Sequence, residues 1–253
     1  MGATESPNEA PLRAPHPVLP AYYEREHDRR GFLRELFDST SPDYEPTERL
    51  LSFGTGARYR RDALLRAGLA PGMRVLDVAT GTGLVARAAL DIVGSAGSVI
   101  GIDPSRGMLQ SAPGPAPAVL IQGTGEYLPF ADSGFDFLSL GFALRHLADL
   151  DTVFAEFRRV LKPGGIVCLL EITLPEPLWL RALLKLYMRG VAPLAARLVA
   201  RRADTPRLMR YYWDTIEACV PPAGVLEALQ RTGFAGADRR VVARCFSEYT
   251  ARR

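Results

Sequence analysis

Residues 74–86, RVLDVATGTGLVA, decide how the rest of the chain is read. Arg74 to Ala79 has the apolar, branched texture of a strand. The turn Thr80-Gly81-Thr82-Gly83 then delivers the chain into a helical stretch from Leu84 to Leu90. Gly81, Gly83 and Ala86 satisfy the spacing G-x-G-x-x-G/A of a nucleotide-binding turn, whose glycines let backbone approach a ligand at a helix N-terminus. Asp103 follows Gly83 by about the twenty residues expected of a carboxylate that accepts both hydroxyls of a ribose. An NAD site shares all of these features, and Asp77 separates the two readings. It stands inside the first strand, four residues before Gly81, where a dinucleotide fold carries an apolar residue. An acid there holds the glycine loop and faces an ammonium group, which S-adenosylmethionine has and NAD lacks. The plainer alternatives are a structural carboxylate capping the turn for Asp77 and a helix N-cap for Asp103.

Outward from the turn the same rhythm repeats. Ser98 to Ile102, Ala118 to Gln122, Phe135 to Leu140 and Ile166 to Glu171 read as the second to fifth strands. Met108 to Ser111 is helical, and Asp151 to Leu161 is an amphipathic helix ended by Pro163-Gly164-Gly165. Strands alternating with helices at this spacing form βαβ units. The expected fold is therefore α/β and Rossmann-like, a mostly parallel sheet with helices on both faces. Thr173 to Pro222 carries helical patterns only, which predicts a helical cap inserted over the sheet's edge. The alternation resumes with a helix at Val225 to Thr232 and closing strands around Arg239 to Glu248. Upstream, Tyr22 to Leu51 is polar and helical but broken by Pro42 and Pro46, and Arg58 to Ala67 is a second helix. The expected organisation is a flexible tail over 1–20, N-terminal helices covering the active site over 21–70, and a sheet domain over 71–253 with its cap at about 173–222.

Composition narrows the function. Of the 253 residues 47% are hydrophobic and 23% charged, enough for one large core. The net charge of +3 is small and its positive side is almost all arginine, Lys162 and Lys185 being the only lysines. With no basic stripe interleaved by aromatics, nucleic acid is not an expected partner. Cys168, Cys219 and Cys245 lie too far apart for a zinc or redox motif and read as reduced thiols of a cytoplasmic protein, with no metal. Met1 to Pro20 lacks the basic start and apolar stretch of a signal peptide. No run approaches the roughly 20 apolar residues that span a bilayer.

Several further blocks carry a family likeness. VLDVATGTGLVA (75–86), VIGIDPSRGML (99–109), YLPFADSGFDFLSLGFALRHL (127–147) and EFRRVLKPGGIVCLLEITLPEP (156–177) closely resemble the ubiquinone/menaquinone biosynthesis C-methyltransferase family, as does LFDSTSPDYEPTERLLSFG (36–54) upstream. The resemblance covers roughly residues 35 to 235. It implies a seven-stranded sheet whose last strand is antiparallel, with S-adenosylmethionine across the carboxyl ends of strands one to four. Asp77, Ala79, Gly81 and Gly83 would line the methionine end of this cofactor, Asp103 its ribose and Met108 its adenine. Where the family has an acid and a small residue near the adenine amino group, this chain has Thr124 and Gly125. A threonine hydroxyl or a backbone carbonyl would have to accept that hydrogen bond.

Methyl transfer from a sulfonium is an in-line displacement, so the protein's task is to align the nucleophile about 3 Å from the methyl and to exclude water. Methylating carbon also needs an electron-rich centre, made by deprotonating a ring hydroxyl with a nearby base. The loop leaving the fourth strand, Gly141-Phe142-Ala143-Leu144-Arg145-His146, is the place to look. His146 is the candidate base, because imidazole titrates near neutrality; it replaces a residue that is commonly Asn in the family. A surface or helix-capping histidine is the plainer alternative. Arg145 matches the family's arginine and would stabilise a developing oxyanion, or else simply pair with an acid such as Asp136. Tyr44 falls where the family has a tyrosine, and Tyr211, Tyr212, Trp213 and Asp214 form a second family-like stretch. These aromatics either sandwich a flat or prenylated acceptor or pack the cap onto the sheet. His16 and His27 receive no role.

Leu178 to Arg189 sets Arg181, Lys185 and Arg189 on one helical stripe, and arginines continue at Arg197, Arg201, Arg202, Arg207 and Arg210. Such a stripe rests on anionic lipid, binds the phosphate of a prenyl chain, or is the solvated face of a packed helix. The expected function is S-adenosylmethionine-dependent methylation of a hydrophobic small molecule, by resemblance C-methylation of a prenylated quinol ring. A specialised aromatic or prenyl metabolite methylated at C, O or N is the second reading, and a NAD-dependent oxidoreductase the third. Peripheral membrane contact and a homodimer are compatible with all three.

Overall fold

A computed structural model describes residues 14–113, 119–199, 202 and 204–253. The outer part of the expected tail (1–13), Ala118 and Arg201 lie outside the described residues. Seven strands form one sheet in the order β3-β2-β1-β4-β5-β7-β6: β1 (Arg74–Val78), β2 (Ser98–Asp103), β3 (Val119–Gln122), β4 (Phe135–Gly141), β5 (Leu161–Ile172), β6 (Ala235–Val242) and β7 (Phe246–Arg252). The pairings β3-β2, β2-β1, β1-β4 and β4-β5 are parallel, whereas β7 runs antiparallel to both β5 and β6. This is the mostly parallel sheet with an antiparallel last strand that the sequence and its family likeness predict.

Helices α2 (Gly56–Ala67) and α3 (Leu84–Val93) cover one face of the sheet, and α5 (Leu150–Val160) and α9 (Pro222–Arg231) the other. Successive side chains of a strand point to opposite faces. Val75, Phe137, Cys168 and Leu170 accordingly join the α2–α3 core, while Leu76, Leu138, Val167 and Leu169 join the α5–α9 core. With both faces buried, the central strands must be apolar throughout, which is why their sequences do not alternate.

Four expectations are corrected. First, α1 (Arg29–Leu51) runs unbroken through Pro42 and Pro46. Pro42 cannot donate to the Asp38 carbonyl one turn back, but the Ser41 hydroxyl donates to that oxygen at 3.0 Å. Second, β5 begins at Leu161 and takes in Pro163-Gly164-Gly165, with a register shift against β4 between Phe135 and Phe137. Third, the cap helices α6 (Leu178–Leu186), α7 (Ala192–Val199) and α8 (Thr205–Ala218) do not lie over the sheet's edge. They form a helical layer with α1, on which α7, α8 and the short α4 (Arg106–Gln110) pack, and α8 reaches the cavity at the strands' carboxyl ends through Tyr212. A π-helical turn, Tyr187–Val191, joins α6 to α7. Fourth, the described part of the expected tail is packed rather than free: His16 is buried, Val220 donates its N–H to the Pro15 carbonyl at 2.7 Å, and Val18 and Leu19 join a cluster with Leu36 and Tyr211.

Phe157 on α5 is wholly buried in the larger core. Phe157→Ala is expected to lower unfolding free energy by about 3–5 kcal/mol in urea titration; a loss below about 1 kcal/mol would mean that α5 does not seal that face.

Candidate functional site

A cavity of about 370 Å³ opens between the carboxyl ends of β1, β2, β3 and β4 and the helical layer above them. Parallel α/β sheets bind ligands at this end, where strand order reverses about the first strand. Its floor includes Ala79, Gly81, Asp103, Met108, Thr124 and Gly125, its far wall Phe142, His146 and Tyr212, and its roof α1 with Tyr44.

The glycine turn is held from two sides. Asp77, buried in β1, accepts the hydroxyls of Thr80 and Ser139, both at 2.6 Å. It therefore fixes the loop from beneath and does not line the cavity. Asp103 accepts the N–H of Gly81 at 2.8 Å through one oxygen and that of Ser105 at 2.8 Å through the other. An ionised carboxylate offers about four acceptor sites, so both oxygens keep lone pairs for a ligand hydroxyl. Burial pushes Asp77 and Asp103 up to about 6 each, against hydrogen bonds that pull the other way. Gly81 and Gly83 have φ of +57° and +86°, and a Cβ on Gly81 would meet no protein atom within 4 Å; that side of the loop faces the cavity. Ala79 and Phe142 also adopt left-handed φ, +52° and +60°. For non-glycine residues this costs of order 1 kcal/mol each, and such strain clusters at ligand sites.

The opposite wall is built around the 3-10 turn Leu144–His146. Arg145 is buried and makes a close ion pair with Glu171 on β5; its guanidinium also lies 4.9 Å from the Tyr212 ring centroid. Arg145 therefore stands behind the cavity and pairs with Glu171, not with Asp136, which holds Lys162 and the Arg74 N–H on the surface. His146 does reach the cavity. Its ring stacks on Tyr211 at 5.6 Å between centroids and meets Phe37 edge-on at 5.4 Å. Neither ring nitrogen has a hydrogen-bond partner among the described residues. Burial, and then the charges of Arg145 and Arg29, hold its pKa well below the usual 6.5, so the ring is neutral at pH 7.

Arg29, at the start of α1, locks this turn from outside. Its Nη2 donates to the Arg145 carbonyl at 2.8 Å and lies 2.7 Å from His16 Nε2, while Nη1 donates to Glu26 at 3.0 Å. Burial and Arg29 lower His16 to about 4, which keeps it neutral and able to accept. Tyr44 and Tyr212 meet through their hydroxyls, and burial raises both phenols, which stay protonated.

The structure thus brings Ala79, Gly81, Asp103, Met108, Thr124, Gly125, Tyr44, His146 and Tyr212 to one cavity. Asp77, Gly83, Arg145 and Tyr211 support it from behind, and Trp213 packs away from it with Met188 and Ile216, its indole N–H on Glu217 at 3.0 Å. Beyond Tyr44 and the expectation that N-terminal helices cover the site, sequence reasoning named no α1 residue. Arg30, Leu33, Arg34 and Phe37 all line the cavity, and their i, i+3, i+4, i+7 spacing is one helical face. It also missed Glu126, whose carboxylate lies two positions beyond Thr124, lines the cavity and stands 3.4 Å from Arg30.

A glycine turn after the first strand, an acid ending the second and a cavity above them define a Rossmann-like enzyme for a nucleoside cofactor. Comparisons with known proteins narrow that class. The profile described as the ubiE/COQ5 methyltransferase family matches residues 24–242. A ubiquinone/menaquinone biosynthesis C-methyltransferase from Syntrophotalea carbinolica is 35% identical over 206 residues, 79% of this chain and 85% of that protein. A demethylmenaquinone methyltransferase from Geobacillus kaustophilus is 35% identical over 175 residues, 67% of this chain and 75% of that protein. Among solved structures, an S-adenosylmethionine-dependent methyltransferase from Aquifex aeolicus superposes with a TM-score of 0.57 at 20% identity, covering 76% of this chain and 88% of that one. The chain belongs to the ubiE/COQ5 methyltransferase family and is an S-adenosylmethionine-dependent methyltransferase.

Arg29→Met removes the donor to the Arg145 carbonyl and leaves that buried oxygen unpaired. The expected cost is about 1–3 kcal/mol of unfolding free energy, read by thermal or urea denaturation, whereas an unchanged stability would show that the turn is held without it.

Proposed function

We propose that the chain transfers a methyl group from S-adenosylmethionine to a ring carbon of a hydrophobic, prenylated quinol-type acceptor. The observation that carries this reading is His146, a half-buried neutral imidazole on the cavity wall whose two ring nitrogens are buried with no partner among the described residues. Leaving buried polar atoms unpaired costs about 1–3 kcal/mol, and an acceptor hydroxyl would supply the missing partner. His146 is the one histidine among the described residues lining the cavity, and as a neutral imidazole it keeps a lone pair free to take a proton.

The residues present fit the donor. The open side of Gly81 leaves room for it, Asp103 offers lone pairs to its ribose, Met108 an apolar contact for its adenine, and Thr124 with Gly125 the hydrogen-bonding edge beside them. Asp77 and Gly83 serve by holding the loop, and Ala79 by its strained backbone at the cavity floor. When bound, the donor supplies a methyl already activated on a sulfonium. On the acceptor side Tyr44 and Tyr212 form aromatic walls, backed by Tyr211. His146 takes the hydroxyl proton, which raises electron density on the ring. The methylated ring carbon then loses its hydrogen as a proton, which restores the aromatic ring and returns a proton to the oxygen, and the imidazolium, made more acidic than a free one by its surroundings, releases its own proton to solvent. Arg145 acts as a positioning residue: paired with Glu171 and laid on the Tyr212 ring, it fixes the turn that presents His146. The α1 layer excludes water from the cavity.

His146→Ala is expected to lower kcat about a hundredfold or more while the affinity for S-adenosylhomocysteine, measured by calorimetry, stays within about twofold. Equal losses in both would remove His146 from the chemistry. In the wild type, kcat/KM should fall on acidification only below pH 6.5, because burial first, and Arg145 next, disfavour the protonated ring; an acid limb centred above 6.5 would contradict a depressed histidine base. Asp103→Ala should weaken S-adenosylhomocysteine binding by about tenfold or more, and undiminished affinity would mean that the ribose lies elsewhere.

A further inference from the structure

The cap helix α6 and the turn after it are amphipathic with the apolar side outward. Lys185 donates to Glu217 at 2.8 Å, Arg189 lies 3.4 Å from Asp214, and the Arg181 Nε is buried without a partner among the described residues. The basic stripe therefore runs along the α8 side of the helix, where Lys185 and Arg189 stay about half exposed while they meet these acids. Leu178, Trp179, Leu183 and Leu186 of α6 remain exposed, and Val191 and Leu194 carry the same surface onward, with exposures from 51% at Val191 to 75% at Leu178. No residue of α6 is buried. A helix of a globular protein normally lays such a stripe on the core, and a contiguous exposed apolar surface marks a place where something docks.

Charge selects the occupant. Pro177 to Ala218 holds eight arginines and lysines against three acids, while the whole chain holds 31 against 28, so the remainder is slightly acidic. From Pro177 to Ala203 there is no Asp or Glu. A second copy docked about a two-fold axis would set this basic patch against itself. An anionic surface is attracted to it instead. We propose that the α6–α7 face docks on the surface of a bilayer containing anionic lipid, with the apolar stripe, Trp179 included, in the headgroup–acyl boundary and the arginines and lysine at headgroup level. No helix among the described residues is long and apolar enough to cross a membrane, so the contact is interfacial. The docked layer reaches the cavity directly: Leu184 and Tyr187 pack in one cluster with Tyr212, which lines it. Docking stands on this surface alone. That it presents the cavity to a lipid-dissolved acceptor rests on the function proposed above.

The test uses the full chain and sedimentation with vesicles of phosphatidylcholine, with and without phosphatidylglycerol. Binding is expected only where phosphatidylglycerol is present, and W179S with L183S should weaken it about tenfold. The same variant should leave S-adenosylhomocysteine affinity unchanged, which shows that it folds. With methyl transfer as readout, it should turn over a short-chain soluble quinol as the wild type does and a long-chain quinol in vesicles about tenfold more slowly. Equal vesicle binding by variant and wild type would overturn the proposal, as would a solution dimer that the same substitutions dissociate. Loss of transfer to every quinol with vesicle binding intact would instead overturn the acceptor assignment and leave docking in place.

Discussion

The buried ion pair between Arg145 and Glu171 joins several separate parts of this molecule. Glu171 belongs to β5, Arg145 to the turn after β4, and the guanidinium also rests on Tyr212 of α8. The backbone carbonyl of the same arginine takes the donor of Arg29, which brings in α1 and, through His16, the N-terminal segment. Breaking such a pair from one side strands a buried charge and costs about 3–5 kcal/mol. Sheet, cap and lid are thus tied to one turn, and the residue after Arg145 in that turn is His146.

This tie has electrostatic consequences for its neighbours. Two guanidinium groups near His146 disfavour its protonation beyond what burial does, and His16 is held neutral in the same way. On the donor side the environment works in reverse: burial raises Asp77 and Asp103 toward neutrality, and hydroxyl and backbone donors oppose that rise. The cavity is thereby divided between a side that carries Asp103 at a strand end, with Asp77 buried behind it, and a side of aromatic rings around a neutral imidazole. A nucleoside cofactor with a cationic centre suits the first, and a flat apolar acceptor with a hydroxyl suits the second.

The sheet was legible because its signals are local. Gly81, Gly83 and Asp103 sit at fixed offsets from strand ends, and five apolar runs separated by helices admit few topologies. The helical layer was much less legible. Pro42 and Pro46 each remove a helical donor, yet α1 runs through both, and the sequence does not show that the Ser41 hydroxyl takes up the carbonyl that Pro42 leaves. The partner of Arg145 could not be read either, since Asp136 and Glu171 are both acids within reach of the motif and only the fold decides between a surface and a buried carboxylate. The cap misled most. Lys185 and Arg189 are half-solvated as a packed helix's polar face should be, but the sequence does not show that α8 sets Glu217 and Asp214 beside them or that the leucines and Trp179 stay exposed. Conversely, the cavity-facing row Arg30, Leu33, Arg34, Phe37 is a helical period inside a stretch that reads only as polar and helical.

The most direct test of the account follows a labelled methyl group from S-adenosylmethionine to a reduced, short-chain demethylated quinol, with the product identified by mass spectrometry. The account predicts one new methyl on a ring carbon. A methyl on oxygen, or no transfer while S-adenosylhomocysteine still binds, would contradict it.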